Sequence, residues 1–469
     1  MRQLLQTMSR RPEIVVLTVL ALLTRLWSVT YPAVVVWDEH HYTYFMGAYL
    51  NGTYIVDVHP PLGRLMLAAT AKLFGYNGTA LWERTAAPLV RIVPAILGAL
   101  IVPVVYALAR ALGGSRPVAA LVAAALLLDH ALLVQSRFAL TDSALLLAVF
   151  TAVLCDLQSD TAESARARWF WLLGAALGAG IAVSIKWTGL SALGLIGVRR
   201  LVALVMRERT IWSVVRDGVG FAGVATLVYC GSFWLHFAIL TDSGPGDGWM
   251  SEPFTKTLEG SVNHVHGARL SFWRSLQDIH HAMSDMNVAI GKQESVPASP
   301  WYTWPIAKHS IVMWAPDGLV APRQRWILMF GNPVVWFGAV LGMAAAMIAV
   351  LRRKRELQGS RRALALLLAG YVIAFAPFAL IHRPMYLYHY LTPLTFSLLI
   401  AGIGAGPLVG WCASEPGAWG FRSPRSRFGY WGTVGLMAVV FVYLAPMAYG
   451  RELSSAAVTH RLWIIERQP

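Results

Sequence analysis

Two adjacent carboxylates, Asp38 and Glu39, follow the first long apolar run in the stretch Trp37-Asp38-Glu39-His40-His41-Tyr42. A carboxylate held at a membrane edge can serve as a general base that takes the proton from an attacking hydroxyl. Charge beside hydrocarbon is expensive, which favours chemistry at this point over packing. The open alternative is a solvated pair that caps the helix behind it. Further along, Asp57-Val58-His59-Pro60-Pro61 adds a second carboxylate and an imidazole. Its two prolines fix the chain direction and can open a helix. His40, His41 and His59 do not have the spacing of a metal site, so no metal is expected.

A second set consists of isolated cations at the ends of apolar runs: Arg91, Arg137, Lys186 and Arg383. A lipid-linked phosphate would explain several of them together, because Arg and Lys hold phosphate oxygens well. Ion pairing inside the protein with Asp129, Asp142 or Asp38, together with snorkelling, is the alternative. His382 and the run Tyr386-Leu387-Tyr388-His389-Tyr390 place further polar groups at the same face, where an interfacial aromatic belt would look the same. No glycine-rich phosphate loop, nucleophile elbow or zincin signature is present. Asn51-Gly52-Thr53 and Asn77-Gly78-Thr79 are short sequon matches that matter only in a eukaryotic secretory compartment.

These residues must be positioned by membrane helices. Of the 469 residues, 57% are hydrophobic and only 13% charged, with mean hydropathy +0.54. Soluble domains carry about 25% charged residues. Apolar runs long enough to span recur along the chain and predict an all-α polytopic membrane protein. About eleven spans are expected, near 13–31, 87–112, 117–134, 139–157, 169–185, 187–206, 217–240, 327–350, 363–381, 386–411 and 429–449. The first is read as a retained span, because it is long and lacks a small-residue cleavage site. The net charge of +15 could suggest nucleic acid, but it collects in alternate loops and sets topology instead. The N-terminus (Arg2, Arg10, Arg11) and the arginines around 110–116, 166–168, 199–216, 352–362 and 422–427 then face the cytoplasm, and an odd span count leaves the C-terminus outside.

Two long loops, 32–86 and 241–326, fall outside. The first contains amphipathic-looking stretches at Tyr42–Leu50 and Leu62–Phe74, suited to lying along the membrane surface. The second is rich in Gly, Trp, His and Pro and is long for a mere connection. The chain therefore divides into a module at 1–240, an outer loop at 241–326 and a four-helix module at 327–469. Cys155, Cys230 and Cys412 lie in or beside apolar runs and read as packing residues, not a disulfide or metal framework. No internal repeat stands out, which weighs against a transporter made of repeated halves.

The stretch WDEHHYTYFMGAYLNGTYIVDVHPPLGRLMLAATAKLFGYNG resembles the first lumenal loop of the protein O-mannosyltransferases. The resemblance continues through VRIVPAILGALIVPVVYALAR, LLLDHALLVQSRFALTDSALLL, GIAVSIKWTGL, FWLHFAILTDSGPGDGWMS, SPWYTWP, FGNPVVWF and PMYLYHYLTPLTF, in order and over nearly the whole chain. It implies the GT-C glycosyltransferase fold and inverting transfer of mannose from dolichyl- or polyprenyl-phosphate mannose to Ser/Thr hydroxyls of secreted or membrane proteins. Asp38 falls at the family's proposed base, and Glu39 at its partner in acceptor binding. Arg91, Arg137, Lys186, Arg383, Tyr388 and His389 fall at positions resembling those around the donor phosphate and sugar. Asp57 and His59 either touch substrate or shape the loop. The lipid-phosphate mannose is a substrate and no cofactor is implied.

The second long loop is too short for the β-trefoil (MIR) domain of eukaryotic members, so the chain resembles the short prokaryotic form. That favours the polyprenyl donor and a multi-pass protein of the plasma membrane with its site on the extracytoplasmic face. Acceptors met at the translocon are one expectation that follows. A GT-C transferase for another lipid-linked sugar or a non-protein acceptor keeps the same architecture. A transporter or flippase would instead line a path across the bilayer with ionisable groups, whereas these crowd one face.

Overall fold

The computed structural model describes residues 11–78, 87–292, 298–316, 322–412 and 418–466. Arg2, Arg10 and Thr79 of the second sequon lie outside them. Among the described residues, nine helices are long and apolar enough to cross a membrane, or ten if one bent pair forms a single span. The protein is therefore an integral, multi-pass helical membrane protein. The N-terminal helices are α1 (Pro12–Leu26), α4 (Ile92–Ala111), α5 (Arg116–Leu127), α6 (His130–Ser136), α7 (Asp142–Asp160), α8 (Ala165–Ile185), α9 (Leu190–Val205) and α10 (Ile211–Ile239). The C-terminal bundle consists of α12 (Pro333–Leu351), α13 (Arg361–Phe375), α14 (Leu391–Leu408) and α15 (Pro424–Tyr449). Helix α14 packs on α12, α13 and also α5, so one apolar core joins the two bundles.

With almost no apolar surface gained by leaving lipid, helix contacts here depend on close approach. A Cβ on Gly404 would stand 2.2 Å from the Ala346 Cβ, and one on Gly98 would stand 2.3 Å from the Ser136 Cβ. Helix starts carry their own caps. Ser115, Asp129, Ser164, Thr210, Asn332 and Ser423 each accept from a backbone N–H in the first turn, as orphan donors require.

Two expected spans differ from the sequence reading. The first, 13–31, is helical only over the fifteen residues of α1, roughly 22 Å at the rise of an α-helix and short of a full crossing. The span expected at 117–134 is broken: α5 and α6 meet at 58°. Asp129 ends the run there, and its Oδ1 accepts from Leu132 N to start a new helix. Its Oδ2 accepts from Asn332 N at 3.0 Å and Trp336 Nε1 at 2.7 Å, which fixes the start of α12 against the break. Asn332 Nδ2 donates in turn to the carbonyls of Leu128 and Met437.

The first long loop folds into α2 (Glu39–Asn51) and α3 (Leu62–Leu73), covering the two amphipathic stretches. The second contains α11 (Phe272–Gly291), a helix the sequence reading did not anticipate. Bridges from Thr53 to Asp242 and from Asp242 to Glu259 tie the two loops together. Strands β1 (Ile311–Trp314) and β3 (Ile327–Met329) pair antiparallel, as do β2 (Arg323–Arg325) and β4 (Glu452–Ser454). The latter pair places the C-terminal helix α16 (Ser455–Glu466) on the same side as the second loop. At the opposite end of α7 and α8, Arg199 and Arg200 clamp Asp156 and Asp160, Arg209 reaches Asp160 and Asp217, and Arg168 and Arg216 hold Asp217.

Candidate active site

The site forms where several helices begin or break at one end of the bundle. Asp38 is the N-cap of α2, reached through Trp37 at φ +42°, and Asp142 lies in the first turn of α7. Lys186 is the extended residue between α8 and the turn Trp187–Gly189. Tyr388 and His389 occupy the single turn Leu387–Tyr390 ahead of α14. His389 Nδ1 closes that turn against the Tyr386 backbone, 3.0 Å from its carbonyl oxygen and 3.3 Å from its nitrogen, which fixes the direction of the ring.

Asp38 is half-buried, and its Oδ2 lies 3.4 Å from the Tyr388 hydroxyl, the outer limit of a hydrogen bond. Burial pushes the Asp38 carboxyl above the usual range, while the positive charge of Lys186, and of His41 when protonated, opposes the rise. The Lys186 ammonium sits 5.3 Å from the centre of the Tyr388 ring and donates to Asp142 Oδ1 at 2.7 Å. Asp142 Oδ2 accepts from Gln135 Nε2 at 2.8 Å. His389 stacks between Tyr388 at 4.5 Å and Trp304 at 5.8 Å.

Beside this cluster opens a cavity of about 590 Å³, lined by Lys186, Lys292, Arg383, His59, His382 and His389 together with Trp187, Asn287 and Phe378. No Asp or Glu belongs to its lining among the described residues. Three permanent cations facing a space with no carboxylate among the described residues suit an anion such as a phosphate. Burial and the neighbouring Lys186 and Arg383 hold the His59 imidazole well below its ordinary pKa, so it presents a neutral ring.

The structure brings together Asp38, Lys186, Arg383, Tyr388, His389 and His59 from the sequence expectation. It places three others among different partners, outside the lining of this cavity. Glu39 and Arg91 are both 0% exposed and form a two-pronged ion pair, Nε to Oε1 at 2.7 Å and Nη2 to Oε2 at 2.6 Å. Glu39 also accepts from Val36 N and Ala139 N, while Arg91 donates to the carbonyls of Pro32 and Val34. Glu39 thus holds the loop before Asp38, and Arg91 is not among the residues that line the cavity. Arg137 donates to the carbonyls of Trp27, Ser28 and Ala448 and lies over the Tyr449 ring, stapling the end of α1 to the end of α15. Asp57 pairs with Arg64 at 3.3 Å, and Arg64 donates to the His59 carbonyl, so Asp57 shapes the loop that presents His59.

The sequence reading missed Lys292, whose signal was the amphipathic pattern of α11. Asp142 was named there only as a candidate ion-pair partner. Among the described residues, no group of His, Cys, Asp and Glu is arranged to hold a metal.

Residues 15–241 match the profile of the family described as "Dolichyl-phosphate-mannose-protein mannosyltransferase", and residues 272–466 match the "C-terminal four TMM region of protein-O-mannosyltransferase". Curated relatives include protein O-mannosyl-transferase 1 of Danio rerio, 31% identical over 53% of this chain and 37% of that protein. Protein O-mannosyltransferase 1 of Drosophila melanogaster is 33% identical over 53% of this chain and 30% of that one. The chain spans about a third of the length of these relatives. Among solved structures, the Saccharomyces cerevisiae protein O-mannosyltransferase Pmt1-Pmt2 complex bound to the sugar donor superposes with TM-score 0.85 at 17% identity, over 97% of this chain and 92% of that one. The Archaeoglobus fulgidus oligosaccharyltransferase superposes with TM-score 0.53 at 13% identity, over 93% of this chain and 53% of that one. The fold is that of the GT-C glycosyltransferases.

Proposed function

Because the chain belongs to the protein O-mannosyltransferase family, we propose that it transfers mannose from a polyprenyl- or dolichyl-phosphate mannose to Ser/Thr hydroxyls of secreted or membrane proteins. The observation that carries this reading is a half-buried carboxylate, Asp38, held against Tyr388, whose ring packs on Lys186 and His389 at the edge of a cavity with three cations and no lining carboxylate among the described residues. The acceptor hydroxyl attacks the anomeric carbon from the side opposite the phosphate. A bond forms from that carbon to the acceptor oxygen as the bond to the phosphate oxygen breaks, so the configuration inverts. Asp38 takes the hydroxyl proton. The bonding electrons leave with the phosphate, whose growing charge Lys186, Arg383 and Lys292 are placed to stabilise. Fixed positive charge does this work without a metal. The neutral His59 and His389, the latter stacked on Tyr388 behind it, border the same space and would orient the sugar.

The site end of the bundle faces the extracytoplasmic side in this reading, with the N-terminus in the cytoplasm and the polyprenyl carrier of a plasma membrane as donor. Supporting this orientation, the arginine cluster of α8, α9 and α10 lies at the other end of the spans, where cytoplasmic positive charge collects. The test is transfer of labelled mannose from polyprenyl-phosphate mannose to a Ser/Thr-rich peptide by the purified protein and its Asp38→Asn variant. Transfer by the wild type and a drop of at least 100-fold in the variant, with donor binding retained, is expected. No transfer from any mannosyl donor by folded wild type, with transfer from another lipid-linked sugar, would overturn the reading.

A further inference from the structure

Asp142 has no part in the transfer step as described, yet it is 6% exposed and bonded to a cation of the cavity. Its two oxygens are divided. Oδ1 takes the Lys186 ammonium at 2.7 Å, and Oδ2 takes Gln135 Nε2 at 2.8 Å. Lys186 is itself 7% exposed and touches both sides: it lines the large cavity, and with Asp142, Tyr388 and His389 it lines a narrow cleft of about 20 Å³ behind it. Asp142 belongs to the cleft and not to the cavity lining. It therefore places negative charge directly behind Lys186 without lining the cavity.

That placement matters because the ligand's charge changes during turnover, an inference that rests on the transferase reading. The donor phosphate is a diester with one negative charge. When its bond to the sugar breaks, the electrons stay on the phosphate and the product is a monoester. Such a monoester carries close to two negative charges above its second pKa of about 6. A site of three bare cations would hold the product more tightly than the substrate and stall. We infer that Asp142, acting through Lys186, is a positioning residue that limits the net positive charge of the phosphate site and so speeds release of the lipid monophosphate. A unit charge directly behind Lys186 lies about 6 Å from a phosphate in front of it, and between the dielectric that suits protein sites and a wetter cavity it changes the binding of one extra ligand charge by roughly ten- to a hundredfold.

Asp142→Asn is a clean probe because the buried Gln135 Oε1 has no partner among the described residues. Turning that amide lets it accept from the new side chain, so shape and hydrogen bonds persist while the charge is lost. The measurement is binding of polyprenyl phosphate and of its methyl diester to the full chain in lipid nanodiscs at pH 8. The variant is expected to favour the monoester over the diester roughly ten- to a hundredfold more than the wild type does. Asp142→Asn with Lys186→Met restores the net charge and should return the ratio to within about threefold of wild type. That double variant also keeps the test alive if the single one fails to fold. An unchanged ratio in the single variant, or a double variant that prefers the monoester as the single variant was expected to, overturns the inference. Mannose transfer measured on the same samples separates the two claims. A wild type that binds both lipids and transfers no mannose removes the transferase reading and leaves the charge-balance result to stand or fall alone.

Discussion

Arg91→Met separates two roles that look identical in sequence. If Arg91 belongs to the architecture, its loss leaves the Glu39 carboxylate buried at 0% exposure with only Val36 N and Ala139 N as donors among the described residues. Removing one member of a fully buried pair costs about 3–5 kcal/mol, because the remaining charge stays desolvated. The carbonyls of Pro32 and Val34 lose their donor as well. Domains of 150–250 residues lose about 2–4 °C per kcal/mol, and longer chains less, so a fall in apparent melting temperature of roughly 5 °C is expected. Glu39→Gln combined with Arg91→Met replaces the pair by neutral groups and should recover most of that loss. The assay is thermal unfolding of detergent-purified protein alongside the donor KM of the folded fraction. The KM of Arg91→Met should stay within about threefold of wild type, while kcat falls as the loop before Asp38 loosens. An unchanged melting temperature with a donor KM raised a hundredfold would refute this account and return Arg91 to the phosphate.

Three further expectations follow from the same geometry. Asp38 must be ionised to accept a proton, and burial raises its pKa, so transfer should fail on acidification above the value of about 3.9 for an ordinary aspartate. Lys186→Met removes a charge that lowers that pKa, so the acid limb of a pH–rate profile should move to higher pH; a shift to lower pH contradicts the arrangement. Arg137→Met should lower the melting temperature by unstapling α1 from α15, with the donor KM unchanged in a titration of polyprenyl-phosphate mannose. Gly404→Val should cost about 1–3 kcal/mol through overpacking of α14 on α12, visible as lost thermal stability, whereas the same change at the open Gly435 should not.

The membrane character, the outer loops and the presence of a polar cluster were readable because charges interrupting apolar runs stand out. What each charge does was not. Arg91, Arg137 and Lys186 share one local pattern, an isolated cation at the end of an apolar run. Their partners decide among them, and those partners are remote: Glu39 for Arg91, three backbone carbonyls for Arg137 and Asp142 for Lys186. Backbone carbonyls leave no trace in a residue pattern. Lys292 was hidden for a different reason, since α11 buries Ile279, Ala282 and Met283 within a polar loop whose average composition conceals its periodicity. The break at Asp129 did have a local sign, one acidic residue inside an apolar run, which the span-length reading passed over.

The joint at Asp129 also bears on how the chain is made. Synthesis delivers α5 and α6 to the bilayer well before Asn332 and Trp336 exist. During that interval, Asp129 Oδ2 and the Leu128 carbonyl have none of their final donors, and hydrocarbon offers no substitute. The N-terminal helices are therefore provisional until α12 arrives, and the late half completes the early one instead of merely docking on it. Shortening the segment between α10 and α12 would alter the waiting time as well as the loop.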